Sequence, residues 1–237
     1  DFELYGFSWE CPGGMAEYTL AREERLFKIP ENVSYEEAAL VEAVSVAYHG
    51  VWGSGGGAAP HDRVVVFGAG PIGLFALLSC KASGAPVIVV EPQAFRQQMA
   101  RDLGADVVLD PATEDVVAGV LAHTGGRGAT MVLECSGSNG ALATMLDVIA
   151  KQGRIVLIGQ SAGRKIPIEI GQAIFQRTTI VGSSGSPYYF PKTLTFMSRQ
   201  LVDLMPVVTH QFPLSDILNA FDLGKSGDGC AKILVLP

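Results

Sequence analysis

Three glycines, Gly68, Gly70 and Gly73, have the spacing of a phosphate-binding turn. They belong to the segment Gly68-Ala-Gly-Pro-Ile-Gly73, which follows a β-branched run and opens an apolar helical pattern. Gly68 permits a tight turn, Gly70 lets a pyrophosphate approach the backbone, and Gly73 lets the helix pack closely on the strand. Pro71 and Ile72 open the helix, whose free N–H groups and dipole attract phosphate. The pattern predicts dinucleotide binding, and the alternative is a glycine turn that binds nothing.

Glu91 supports the dinucleotide interpretation because it lies 18 residues after Gly73, at the carboxyl end of the next apolar run. A carboxylate at this point accepts hydrogen bonds from the adenosine ribose hydroxyls and repels a 2′-phosphate, which predicts NAD over NADP. Arg96 follows one helical turn later and either holds a phosphate or stays in water. The alternative for Glu91 is a solvated charge without a ligand.

A parallel sheet is needed to position these residues, and the sequence predicts one. From Asp62 onward, short apolar runs alternate with helical patterns, which indicates βαβ units with helices on both faces of a sheet. We therefore expect the α/β class, with a doubly wound parallel (Rossmann) sheet of about six strands. The predicted strands are 63–67, 86–91, 106–109, 129–134, 154–158 and 178–181, and the predicted helices are 72–83, 93–103, 113–123 and 140–150.

The flanking segments have a different pattern. Residues 17–20 and 26–29 resemble strand pieces, while Ser34 and Glu37 fit a capping box that opens a helix from Ala38 to about Val51. Toward the other end, the sequence predicts a helix over 214–223 and a strand over 232–236. The glycine-rich stretch 53–59 is a candidate hinge before the first strand of the sheet.

Composition excludes several classes of protein. The chain has 237 residues, 28 of them glycine, and a net charge of −7, which argues against a basic nucleic-acid-binding face. No apolar run is long enough for a membrane-spanning helix, so we expect no membrane partner. The four cysteines are far apart and form no CxxC motif, which favours reduced thiols in a cytoplasmic protein over disulfides or a four-cysteine zinc site. The first residue is Asp1, and we expect that an N-terminal part is missing.

Several segments together resemble the medium-chain, zinc-dependent alcohol dehydrogenase superfamily, and especially its sorbitol and threonine dehydrogenase group. The resemblance covers nearly the whole chain, in a specific order and spacing. The matching segments are Gly13-Gly-Met-Ala-Glu-Tyr18, residues 38–49, Val66-Phe-Gly-Ala-Gly-Pro-Ile-Gly-Leu74, Glu134-Cys-Ser-Gly137, Gly153-Arg-Ile-Val-Leu-Ile-Gly159, and the ending from Val208-Thr-His210 to Leu236.

The resemblance implies hydride transfer between a secondary alcohol, polyol or threonine-like, and NAD, with zinc polarising the alcohol oxygen. It also implies three regions: 1–50 as the C-terminal part of a mostly β, GroES-like catalytic domain with its connecting helix, 51–200 as the dinucleotide-binding domain, and 201–237 as a segment that returns to the catalytic domain. A homodimer or homotetramer is expected by the same analogy.

Glu42 matches the position of the family's late zinc-site residue, either as a ligand or through the zinc-bound water. Its apolar neighbours favour a partnered carboxylate over a solvated charge on a helix surface. The early cysteine and the Gly-His-Glu segment of the family are absent, and the four histidines match no ligand spacing. We therefore expect zinc only in a full-length protein, since this chain has too few ligands to hold it.

The resemblance also implies further cofactor contacts. They are expected at the ends of the later strands, where ligands of doubly wound sheets lie. An ordinary strand-end turn is the alternative at each position. These candidates are Val46, Ser136, Gly137, Ile158, Gly159, Ser183 and Ser184.

Two other functions remain open at this point. A non-catalytic NAD-binding fragment or subunit would bind the cofactor without turnover. A zinc-free quinone reductase relative would favour NADPH, which Glu91 opposes.

Overall fold

The structure is a computed structural model, and it describes Gly6, residues 13–160, Gly163, residues 165–185 and residues 187–237, without the side chain of Pro187. Within these residues, no helix is long and apolar enough to cross a membrane.

The predicted α/β fold is confirmed. Six parallel strands form one sheet in the order β3-β2-β1-β4-β5-β6, the order of a doubly wound dinucleotide-binding fold. Two further strands, β7 and β8, pair with each other in a separate sheet. In chain order, the elements are α1 (Tyr35–Ala38), α2 (Val41–Tyr48), β1 (Val64–Phe67), α3 (Pro71–Lys81), β2 (Val87–Val90), α4 (Ala94–Asp102), β3 (Val107–Leu109), α5 (Val116–His123), β4 (Ala129–Glu134), α6 (Asn139–Val148), β5 (Ile149–Leu157), α7 (Ile170–Gln176), β6 (Thr179–Gly182), α8 (Phe190–Ser198), β7 (Val208–Pro213), α9 (Ile217–Ser226) and β8 (Lys232–Leu236).

The central strand β1 shows why the sequence folds into a buried sheet. All four of its residues are buried, because helices cover both faces. Val64 and Val66 face one hydrophobic core, and Val65 and Phe67 face the other. Burial of each such side chain stabilises the fold by about 1.5–3 kcal/mol. Both cores therefore fix the position of the loop that follows β1.

The N-terminal flank differs from its prediction in two respects. Residues 17–20 and 26–29 are not strands, because no strand of the described chain runs beside them to share hydrogen bonds. The predicted helix over 38–51 is interrupted after Ala38, and it ends in a π-helical turn over His49–Ser54. The capping box is confirmed, since Ser34 Oγ accepts from Glu37 N at 3.1 Å and Glu37 Oε2 accepts from Ser34 N at 2.8 Å.

Three elements were absent from the sequence prediction: α7, α8 and β7. Helix α8 packs on α2, and β7 pairs in parallel with β8. Helix α8 and strand β7 each depend on a distant partner in the chain, which a local sequence pattern does not show.

Candidate functional site

The glycine loop between β1 and α3 has the geometry that its sequence predicts. Gly68 adopts a φ of +91°, which favours glycine, and a Cβ on Gly73 would collide with the carbonyl oxygen of Gly68. A Cβ on Gly70 would meet no atom within 4 Å. Pro71 occupies the first turn of α3. The loop therefore leaves open space over Gly70, in front of the free N–H groups of α3.

Glu91 follows β2 and holds this loop in place. Its Oε2 accepts from Ala69 N at 2.6 Å and its Oε1 accepts from Gln93 N at 2.9 Å, while the residue is only 4% exposed. The sequence prediction places Glu91 correctly at the strand end but misses the bond to Ala69. Each carboxylate oxygen has a second lone pair, so Glu91 can still accept a ligand hydroxyl.

A cleft of about 610 Å³ opens over the carboxyl ends of β1, β2 and β4. Gly68 and Gly70 lie at its base, Glu91 lies on one side and Ser136 lies on the other. This is the edge of a doubly wound sheet where ligands bind. The cleft brings together the glycine loop, Glu91 and Ser136, three of the predicted cofactor-binding positions.

Arg96 lies between this cleft and a second one of about 380 Å³ beside α9 and β8. Its Nη2 donates to Cys230 O at 3.4 Å, and its buried Nε has no hydrogen-bond partner among the described residues. Arg96 was expected either to hold a phosphate or to stay in water. Because its side chain is half-buried, the structure does not support a fully solvated arginine.

The turn after β4 depends on a residue that the sequence prediction did not select, Glu134. Its Oε1 accepts from Ser136 N at 2.9 Å, from Ser136 Oγ at 2.6 Å and from Gly137 N at 2.8 Å. A Cβ on Gly159 would lie 2.7 Å from Glu134 Oε2, so Gly159 and Gly137 enclose this carboxylate. One sequence signal could have identified Glu134. It is a carboxylate that stands just before two turn residues, in the segment Glu134-Cys-Ser-Gly137.

Helix α2 lies against the loop after β6 and brings the remaining candidates together. A Cβ on Gly185 would lie 2.9 Å from Val46 Cγ2. His49 Nδ1 lies 3.0 Å from Ser184 O and 3.3 Å from Ser183 Oγ. Ile158 lies nearby, since a Cβ on the buried residue Gly50 would collide with its side chain.

Glu42 does not have the environment that its neighbours suggested. Its side chain is exposed, as for a solvated charge on a helix surface. The expectation of a partnered carboxylate is therefore wrong. The apolar neighbours Ala43 and Val44 face the core, and Glu42 lies on the opposite side of α2. A role at zinc remains a prediction.

The described residues do not form a zinc site. No group of three or more His, Cys, Asp or Glu side chains among them could hold a metal ion, whereas a catalytic zinc takes three protein ligands. His49 packs on Tyr189, with a ring-centroid separation of 4.2 Å, which confirms the expectation of a packing histidine.

The cysteines near the cleft are unsuited to nucleophilic chemistry. Burial raises the pKa of Cys80 to about 12. Burial, followed by the negative charge of Glu134, raises the pKa of Cys135 well above its ordinary value. Both side chains are neutral thiols at neutral pH, and together with Cys230 they are free cysteines.

Comparison with known proteins identifies the family. A family model described as "Zinc-binding dehydrogenase" matches residues 71–199, which is more than half of the chain. The chain belongs to this family. The zinc-binding dehydrogenase chain is 36% identical over 228 residues to L-threonine 3-dehydrogenase from Pyrococcus horikoshii, covering 93% of this chain and 64% of that protein. It therefore spans about two thirds of the length of such curated relatives, and the resemblance to the alcohol dehydrogenase superfamily is confirmed.

Solved structures of dehydrogenases share the fold. The chain is similar to 2R,3R-butanediol dehydrogenase from Bacillus subtilis, with a TM-score of 0.87 and 33% identity, covering 95% of this chain and 64% of that one. It is also similar to an alcohol dehydrogenase from E. coli CFT073 complexed with NADH, with a TM-score of 0.88 and 25% identity, covering 95% and 66%.

Proposed function

We propose that this chain binds NAD(H) and forms the cofactor-binding part of a dehydrogenase that acts on a secondary alcohol, either a polyol or a threonine-like compound. The observation that carries the proposal is the cleft in which the open space over Gly70 lies between Glu91 and Ser136. The family, the relatives named as dehydrogenases and the NADH-bound neighbour support it.

The cleft offers one group for each part of the adenosine half of the cofactor. The N–H groups at the start of α3 face the space over Gly70, where a pyrophosphate fits without meeting a side chain. Glu91 supplies acceptors for the ribose hydroxyls, and its charge opposes a 2′-phosphate. Arg96, at the rim, is the group that would favour a phosphate. We propose that Glu91 decides the preference, for NAD.

The nicotinamide half would lie against Val46, Ile158, Gly159, Ser183 and Ser184. When bound, NAD supplies the two-electron acceptor that takes a hydride from the alcohol carbon. The contribution of this chain is to orient the ring and exclude water from it. Val46 and the buried Ile158 supply apolar surface for this purpose, and Ser183 and Ser184 supply polar atoms.

Zinc takes no step in this proposal, because the described residues supply no set of ligands for it. Glu42 is the candidate that this chain could contribute to a zinc site, as a ligand or through bound water. We propose the regions 1–50, 51–200 and 201–237 as the units of such a dehydrogenase.

Calorimetry with NADH and NADPH tests the proposed cofactor. We expect NADH to bind more tightly than NADPH, and Glu91→Gln to reduce this preference. Arg96→Gln is the opposite variant: because it removes the group that would favour a phosphate, it should keep or increase the preference for NADH. Tighter binding of NADPH by the unaltered chain would contradict the role of Glu91, and binding of neither would contradict the proposed function. NADH binding without turnover of any alcohol by the full-length protein would favour the non-catalytic alternative.

We also propose a homo-oligomer that forms through β6. This strand is at the edge of the sheet, and α7 beside it exposes Ile170, Ile174 and Phe175. Sedimentation should show a dimer that Ile174→Glu disrupts. Leu218→Glu, at an equally exposed position on α9, should leave the dimer unchanged. A monomeric unaltered chain would contradict the proposal.

A further inference from the structure

The cleft extends past Glu91 to a turn that the proposed function leaves without a task. Glu91 N donates to Leu109 O at 3.0 Å, so the end of β3 lies directly beside the proposed ribose acceptor. The turn between β3 and α5 begins there, and α5 packs on α6. This turn and the two helices line the far end of the cleft. In a dinucleotide whose ribose lies at Glu91, the purine base is the next group, so this end is where it would lie.

The apolar residues at this end suit the faces of a flat aromatic ring. Val116 and Val117 from α5 and the buried Ala141 from α6 line it. Apolar side chains against the faces of a base remove those faces from water. They do not distinguish one purine from another, because the faces of all purines are similar. Selection among purines must therefore come from polar atoms that meet the edge of the ring.

The polar side chains that the turn and the two helices contribute to the cleft offer hydrogen-bond acceptors. They are Glu114, Asp115 and Thr144. The Thr144 hydroxyl donates its hydrogen to Gly140 O at 2.7 Å, so only its lone pairs are left for a ligand. Both carboxylates are exposed, and an ionised carboxylate accepts hydrogen bonds and donates none. Among the described residues of the turn and the two helices, the lining therefore offers a base acceptors and no side-chain donor.

Asp115 has a fixed carboxylate with one oxygen left over. It is the N-cap of α5, where its Oδ1 accepts from Ala118 N at 3.0 Å, while its Oδ2 accepts no hydrogen bond from the part of the chain that the structure describes. The cap holds Oδ2 at the first turn of α5, which also supplies apolar lining to the cleft. Glu114 instead reaches back along the chain, and its Oε2 accepts from Asp110 N at 2.7 Å. Asp115 is therefore the acceptor that lies with the apolar lining.

We propose that the Asp115 carboxylate recognises the exocyclic amino group of adenine and makes the cleft select adenine over a purine with a carbonyl oxygen at the same position. This inference rests on the proposed binding of NAD(H). The amino group is a donor, and Asp115 Oδ2 can accept from it. A carbonyl oxygen at that place would face a second acceptor, and neither oxygen would have a donor. Asp115 is thus a specificity-determining residue for the cofactor.

Two dinucleotides test the proposal: NADH and its reduced hypoxanthine analogue, which carries a carbonyl oxygen on the purine in place of the amino group. Calorimetry on the full chain measures both dissociation constants at one pH and salt concentration. We expect NADH to bind about tenfold more tightly than the analogue, as for one hydrogen bond to a charged group.

Asp115→Asn gives the sharpest result, because asparagine is an equally good N-cap and its amide nitrogen takes the place of Oδ2. This nitrogen donates to a carbonyl oxygen and cannot accept from an amino group. We therefore expect NADH to bind more weakly and the hypoxanthine analogue to bind more tightly. Damage to the fold or to α5 would not produce opposite changes, since it would weaken both dinucleotides.

Glu114→Gln is the matched control. It removes the same charge from the neighbouring residue and keeps an oxygen that can accept from Asp110 N. Both dissociation constants should change by the same factor, so that their ratio stays that of the unaltered chain. If Glu114→Gln changes the ratio as much as Asp115→Asn does, charge at the rim explains the effect and the proposal is overturned. Equal weakening of both dinucleotides by Asp115→Asn would overturn it as well.

Asp115→Ser covers the case in which the asparagine variant does not fold. Serine also caps a helix, but it has a single side-chain oxygen, which the cap engages. The preference for NADH should be lost in this variant, and a preference that persists would contradict the proposal. If the unaltered chain binds both dinucleotides equally, the role of Asp115 fails and the proposed function stands. If it binds neither, the proposed function fails.

Discussion

Each half of the sheet ends in a buried glutamate, and the two carboxylates have different surroundings. Glu91 uses both oxygens, one for the glycine loop and one for the start of α4. Glu134 accepts three hydrogen bonds at one oxygen, and its other oxygen has no partner in the part of the chain that the structure describes. The same residue type therefore anchors a strand-end turn in both halves, but the second half leaves one carboxylate oxygen without a hydrogen-bond partner among the described residues.

The largest effect is expected from removing the Glu134 carboxylate, and the same change at Glu91 is its comparison. Glu134→Ala leaves two backbone N–H groups and a hydroxyl without their acceptor and opens a cavity in a fully buried place. We expect it to lower the free energy of unfolding by about 4 kcal/mol. Glu91→Ala removes two bonds and should cost about 2 kcal/mol. Urea denaturation measures both, and a larger loss in Glu91→Ala would reverse the comparison.

Gly73 tests how tightly the first half is packed. In Gly73→Ala the new Cβ would collide with the carbonyl oxygen of Gly68, and we expect a loss of about 3 kcal/mol in unfolding free energy. Gly140→Ala, in helix α6, is the control because its Cβ would meet nothing within 4 Å. It should have the stability of the original chain or slightly more. Equal stabilities of the two variants would show that the loop relaxes around Gly73.

A substitution of Gly70 distinguishes an effect on ligand binding from an effect on stability in the same loop. Its φ of −67° suits any residue, and the space at its Cβ is open. We expect Gly70→Ala to unfold within 0.5 kcal/mol of the original chain, a small effect on the scale of ordinary surface substitutions. Its affinity for NADH should fall about tenfold, because the methyl group occupies the space of the pyrophosphate. Unchanged affinity in calorimetry would contradict the assignment of the phosphate to Gly70.

The smallest effect on stability and binding together is expected from a substitution of Asp106. This residue lies at the end of the strands opposite the cleft. Burial raises the pKa of Asp106, but hydrogen bonds from Lys81 and from Val87 N outweigh it, so the pKa lies below its ordinary value of 3.8. Its stabilisation is therefore complete above that value and is lost as the pH falls below it. We expect Asp106→Asn to cost less than about 1 kcal/mol at pH 7, because the side chain is 46% exposed and solvent screens its ion pair. Urea titrations at pH 7 and pH 2.5 should show the difference shrink in acid, with no change in cofactor affinity at pH 7.

Local patterns in the sequence were sufficient for most of the fold. The fully apolar run Val64–Phe67, the glycine loop and the capping box at Ser34 each act within a few residues, and the structure contains all three. The patterns failed where a distant segment decides the outcome. Residues 17–20 and 26–29 have strand-like sequence but no neighbouring strand among the described residues, while β7 exists because β8 pairs with it.

The candidate site shows the same contrast between local sequence patterns and contacts made by distant segments. Glu91 was selected because a ribose-binding carboxylate has a fixed place after the second strand, and its contact with ribose stays a prediction. Glu134 was overlooked because its importance lies in what surrounds it: the close approach of Gly159 and the unpaired Oε2 become visible only when β4 and β5 are side by side. Glu42 was misjudged because sequence neighbours on a helix face different directions.

The hydrogen bonds that close the two ends of the site span very different lengths of chain. The bond from Ala69 to Glu91 joins residues 22 positions apart, whereas the contact between His49 and Ser184 joins residues 135 positions apart. Closing a longer loop costs more chain entropy and slows the search for native contacts. We expect the adenosine end to be assembled early in folding, from the first strands of the sheet alone. The nicotinamide end is completed only when β6 has joined the sheet and His49 has reached the loop behind it.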